Sequence, residues 1–65
     1  MRVDEVIIVT KNNETFVRYG KALETIDVDE DEEYIIVKSN NPTGIETMLF
    51  PKSNVARIKL YHKKA

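Results

Sequence analysis

Four carboxylates at alternate positions, Asp27, Asp29, Asp31 and Glu33, are the densest candidate chemistry in this chain. Oxygen ligands at that spacing begin a calcium loop. Such a loop needs a glycine at its sixth position and a bidentate glutamate at its twelfth. Glu32 and Lys38 stand there instead. On an extended strand the alternate carboxylates would also share one face and repel. Asp27, Asp29, Glu30, Asp31, Glu32 and Glu33 therefore read as a solvated acidic loop, with Asp29 to Glu33 at its tip. Such a loop faces a basic partner or a neighbouring copy. A further reading is an acidic inhibitor that mimics nucleic acid. No metal or cofactor is expected. His62 is the only histidine, it lies beside Lys63 and Lys64, and the chain has no cysteine. Ser39 and Ser53 sit in no nucleophile elbow, and two glycines, Gly20 and Gly44, make no phosphate loop. Nothing selects a small-molecule substrate, so the chain reads as not an enzyme.

The second group is basic: Lys52, Arg57, Lys59, His62, Lys63 and Lys64. If Ala56, Ile58 and Leu60 face inward on a strand, then Val55, Arg57, Lys59 and Tyr61 share the outer face by period two. Cations beside an aromatic ring suit single-stranded nucleic acid, with Lys52, Arg57, Lys59, Tyr61 and Lys63 as contacts. The plainer reading is a strand solubilised and edge-protected by lysines. Charge is split along the chain. Residues 1–33 hold ten acids and four bases, and residues 34–65 hold one acid and six bases. That asymmetry admits an anionic partner at one end, or head-to-tail contact between copies.

The elements that must position these groups read as strands. Val6-Ile7-Ile8-Val9 is a β-branched run suited to a strand buried on both faces. Lys11 to Glu14 turns the chain into a return strand, Thr15 to Tyr19. Gly20 marks a bulge or bend where two backbones approach. Lys21 to Val28 reads as strand continuing from that bend. Tyr34 to Lys38 is a second doubly buried strand, and Ser39 to Gly44 is a loop. Ile45 to Phe50 is a strand halted at Pro51, Ser53 and Asn54 turn the chain, and Val55 to Tyr61 resumes it. Residues 62–65 read as a frayed tail.

Two stretches carry a family resemblance. Tyr19-Gly20-Lys21-Ala22-Leu23-Glu24-Thr25-Ile26-Asp27 resembles the first motif of the Sm/LSm-like barrels, an aromatic-x-Gly bend, an apolar strand and an Asp. Phe50 to Ile58 resembles the second at Asn54-Val55-x-x-Ile58. The acidic run stands where that family has an RNA-contacting Asn, Pro51-Lys52 stands for its Arg-Gly, and its N-terminal helix is missing or much shortened. Over residues 3–61 the likeness implies a barrel, a ring of copies and binding of uridine-type single-stranded RNA.

At 65 residues the chain makes one domain with a thin core, and oligomerisation is a common remedy for that. Five to six short antiparallel strands without a long helix predict an all-β fold that curls to hide its edges, a small SH3-like or Sm-like barrel. The expected function is a non-catalytic interaction module acting through a protein partner or self-assembly. No apolar run is long enough to span a membrane and the start lacks a signal-peptide layout, so a cytoplasmic setting is expected.

Overall fold

A computed structural model describes residues 1–21 and 23–64. Ala22 of the expected strand and first motif, and Ala65 of the expected tail, lie outside the described residues. The strands are β1 (Arg2–Val3), β2 (Glu5–Thr10), β3 (Thr15–Tyr19), β4 (Thr25–Glu30), β5 (Tyr34–Asn41), β6 (Gly44–Pro51) and β7 (Val55–Tyr61), with a 3-10 turn at Lys52–Asn54. The fold is all-β. Seven strands replace the expected five or six because the strand read over Val3 to Thr10 is divided at Asp4, with Val3 in β1 and Glu5 to Thr10 in β2.

All pairing is antiparallel, in a four-stranded sheet ordered β1-β4-β5-β6 and a three-stranded sheet ordered β3-β2-β7. Val3, Ile26, Val28 and Val37 of the first sheet and Val6 and Ile8 of the second form one buried cluster. Phe16 of β3 meets Phe50 of β6 with ring centroids 5.0 Å apart, closing one end of that core. A tilted aromatic pair adds about 0.5–1.5 kcal/mol beyond its burial.

Composition suggested that both apolar runs are buried on both faces, and neither is. In β2, Val6 and Ile8 are buried while Ile7 and Val9 are half-buried; in β5, Val37 is buried and Ile36 half-buried. Each sheet has one face on the core, so β-branched residues on the other face pack only against their strand neighbours.

The first hairpin turns at Asn13, whose φ is 66°, a conformation asparagine tolerates. Gly20 is the bend. Its N–H donates to the Asp4 carbonyl at 3.0 Å, and a Cβ there would lie 3.1 Å from the Glu24 carbonyl oxygen. The strand expected to continue from Gly20 starts only at Thr25. Between them Leu23 has φ 67°, outside any strand conformation, and Glu24 N–H bonds the Lys21 carbonyl at 2.9 Å. The loop expected over Ser39 to Gly44 shrinks to Pro42-Thr43. β5 and β6 stay paired out to Asn41 and Gly44, and the Asn41 side chain accepts the Thr43 N–H at 2.9 Å. The corner at Pro51 forms as read, with the 3-10 turn carrying Ser53 and Asn54.

Candidate interaction surfaces

The six acidic residues do not form one loop. Asp27, Asp29 and Glu30 lie in β4, and only Asp31, Glu32 and Glu33 make the turn to β5. Ile26 and Val28 are buried on the core face, which holds Asp27 and Asp29 outward on the same strand. Pairing with β5, together with those two apolar anchors, outweighs the mutual repulsion of the carboxylates. Their partners also differ. Asp27 takes the Met1 ammonium at 2.8 Å, which holds its carboxyl below the ordinary range and raises that ammonium in turn. Glu30 pairs with Lys52 Nζ at 3.0 Å. The N–H groups of Tyr34 and Glu33 donate to Asp31 Oδ1 at 2.7 and 2.8 Å, and these bonds, Tyr34 foremost, hold the Asp31 carboxyl low. Asp31 is thus a turn-builder. Among the described residues no group of three or more His, Asp or Glu side chains is gathered to hold a metal.

The basic set divides as well. Lys52 sits in the 3-10 turn, its side chain on Glu30 and its N–H on the Glu33 carbonyl at 2.8 Å, so it belongs to the acidic end. Arg57, Lys59 and Tyr61 share the outer face of β7 as read. Val55 does not. The β2–β7 register slips between Val9 and Thr10, pairing Val9 with Arg57 and Thr10 with Val55. Ala56 is the extra residue of that bulge. Val55 packs on the core and Ala56 is exposed, the reverse of the period-two expectation. Lys63 lies past the strand, and its N–H donates to Asp4 Oδ2 at 2.6 Å, which ties down part of the expected tail. His62 is exposed beyond β7. Ser39 is buried, with its hydroxyl accepting from Arg18 Nε at 3.1 Å, and Ser53 lies in the 3-10 turn.

Register gives the outer face of the three-stranded sheet in three rows: Tyr19-Glu5-Tyr61, Val17-Ile7-Lys59 and Thr15-Val9-Arg57. Tyr19 and Lys21 are the members that sequence reading missed. The Lys21 ammonium lies 5.7 Å from the Tyr19 ring centroid. The signal available was the hairpin itself, since pairing Thr15–Tyr19 back on β2 puts Tyr19 opposite Glu5.

The four-stranded sheet ends on β6. There Ile45 and Leu49 are 65% and 55% exposed, while Met48 and Phe50 on the alternate positions pack on the core. Leu49 pairs with Ile36 of β5, so the apolar outer face continues inward from the edge. A cleft lined by Val28, Glu30 and Ile35 on one sheet and Ile58 and Leu60 on the other runs between the sheets. No family model, curated protein or solved structure matches this chain.

Proposed function

We propose that the chain is a small non-catalytic interaction module that acts through protein–protein contacts, a second copy foremost. One observation carries this reading: β6 is the least guarded of the four sheet edges, since Pro51 blocks only its last position and its inward charge, Glu46, is neutralised by Arg18. The other edges are defended. β1 is two residues long, β7 carries a bulge with Arg57 and Lys59, and β3 points Arg18 inward. β6 runs eight residues, its one charge, Glu46, is matched by Arg18, and its outer face offers Ile45 and Leu49. Such an edge invites strand addition. β3 and β4, read as one ribbon interrupted between Tyr19 and Thr25, with β1 and β2 alongside as a second ribbon interrupted at Asp4, give the order β7-β1/β2-β3/β4-β5-β6. That order supports an SH3-like or Sm-like barrel as the finer description of the fold. A cytoplasmic setting goes with this reading. No helix among the described residues is long and apolar enough to cross a membrane.

Light scattering at high micromolar concentration tests the assembly. The expected result is a mass of at least two chains, falling to one chain in Leu49→Lys. A wild-type monomer at that concentration removes self-assembly through β6.

A second reading is single-stranded RNA binding, supported by Arg57, Lys59 and Tyr61 sharing a face with Tyr19. RNA affinity should then fall steeply with salt, and the slope should flatten in Arg57→Ala with Lys59→Ala. Absence of binding at low salt excludes it.

A further inference from the structure

We infer that the cavity between Tyr19 and Tyr61 is a binding site for a methylated ammonium group. The two tyrosines flank Glu5 in adjacent ladder positions, so both side chains leave the sheet on the face that carries Glu5. Directly opposed Cβ atoms sit about 5 Å apart, which puts the two tyrosines roughly 10 Å from each other across the glutamate. Tyr19 and Tyr61 are 53% and 52% exposed and Glu5 is half-buried between them. A cavity of about 290 Å³ opens there, lined by Asp4, Glu5, Tyr19, Gly20, Tyr61 and Lys63.

Backbone bonds fix both walls to the kink at Asp4. Its N–H donates to the Tyr61 carbonyl at 3.0 Å, and its carbonyl accepts from Gly20 N–H at 3.0 Å. The walls are therefore held by the end of the sheet, with no loop of their own.

Two aromatic side chains beside carboxylates attract cations through the ring quadrupole and through charge. Glu5 at the centre disfavours a phosphate, so this end of the face differs from the Arg57 and Lys59 end. Tyr19 already attracts an ammonium, that of Lys21 at 5.7 Å, and Lys21 is not among the residues lining this cavity. A bare ammonium is compact and strongly hydrated. Its hydrogens need acceptors on every side, and here they meet carboxylates only on Glu5 and on Asp4, whose Oδ2 already takes the Lys63 N–H. A methylated head gives up water readily and gains contact with the rings in its place. Lys63 on the rim opposes the ligand, and Asp4 and Glu5 offset it. The inference does not depend on β6 or on assembly.

Nuclear magnetic resonance titrations with tetramethylammonium, choline, a trimethyllysine peptide, the same peptide with unmodified lysine or with arginine, and an uncharged tert-butyl isostere test it. The expected result is saturable shifts of the Tyr19 and Tyr61 ring signals with the methylated cations. Tyr61→Ala or Tyr19→Ala should weaken binding about five- to thirty-fold, while Tyr61→Phe and Tyr19→Phe keep it, because the ring face and not the hydroxyl makes the contact. Glu5→Gln should weaken it severalfold and Lys63→Ala should strengthen it. Choline bound as well as the peptide identifies a free cation as the ligand; a tighter peptide identifies a protein side chain. Equal binding of the uncharged isostere, of unmodified lysine or of arginine overturns the inference. So does an absence of ring shifts, or loss of binding in the phenylalanine variants when their melting curves match wild type.

Discussion

Asp31 is a residue whose protonation the fold feels through its backbone. Two backbone N–H groups donate to one of its oxygens and lower its carboxyl. A folded-state value below the unfolded one means the contribution is complete above the unfolded aspartate value, about pH 3.9, and lost as pH falls through the folded value. Melting temperature should therefore drop in acid below about pH 4. In Asp31→Asn, which keeps the accepting oxygen but cannot titrate, that acid dependence should be shallower. Parallel curves for the two proteins would show that Asp31 is not the group responsible. In the core, Ile26 has no exposed surface. Ile26→Val should cost about 0.5–1.5 kcal/mol in denaturant titrations, since it removes one methylene and leaves part of the gap unfilled.

At the scale of elements, two short connections set the geometry. The bend from β3 to β4 holds Leu23 in the left-handed region with 83% of its surface exposed. An apolar side chain gains nothing there, and the conformation costs roughly 1–2 kcal/mol. Leu23→Asn should raise stability by up to about 1 kcal/mol, because asparagine adopts that region more readily. A loss of stability would mean that Leu23 is covered in solution. At the β5–β6 turn Gly44 has φ 152°, and no atom lies within 4 Å of where a Cβ would be. Gly44→Ala is thus a test of backbone conformation alone, and a loss of about 1–3 kcal/mol is expected by thermal or chemical unfolding. The bulge at Ala56 belongs to this scale too. It moves Val55 onto the core and leaves Arg57, Lys59 and Tyr61 in phase on the outside.

For the whole molecule, Arg18 is the polar tie between the sheets. From β3 it reaches buried Ser39 on β5 and Glu46 on β6. Arg18→Ala leaves the Ser39 hydroxyl and the Glu46 carboxylate without that donor and should cost about 1–3 kcal/mol. Combined with Ser39→Ala the loss should be less than the sum, because the two groups share one contact. Strict additivity in that double-mutant cycle would show that they do not interact. The same tie leaves Glu46 neutralised on the edge strand, which is why the edge reads as open to a second chain.

Much of this was legible along the chain. The β-branched runs, the asparagine turn, the glycine bend and the proline corner each act over a few residues, so local chemistry determined the strands of the first hairpin and the pair around Pro51. Side-chain period two put Arg57, Lys59 and Tyr61 on one face before any pairing was known. What sequence could not settle depends on cross-strand partners. The acidic residues looked like one loop because their charge is visible locally, while the ladder that holds Asp27 to Glu30 in a strand lies on β5, several residues away. Lys52 was grouped with the bases by its sign, and the fold set it on Glu30. Register alone brought Tyr19 and Tyr61 to either side of Glu5, a neighbourhood made from three strands. Strand formation is a property of short segments, whereas a site shared by strands exists only once hydrogen-bonded pairing has fixed which residues stand opposite one another.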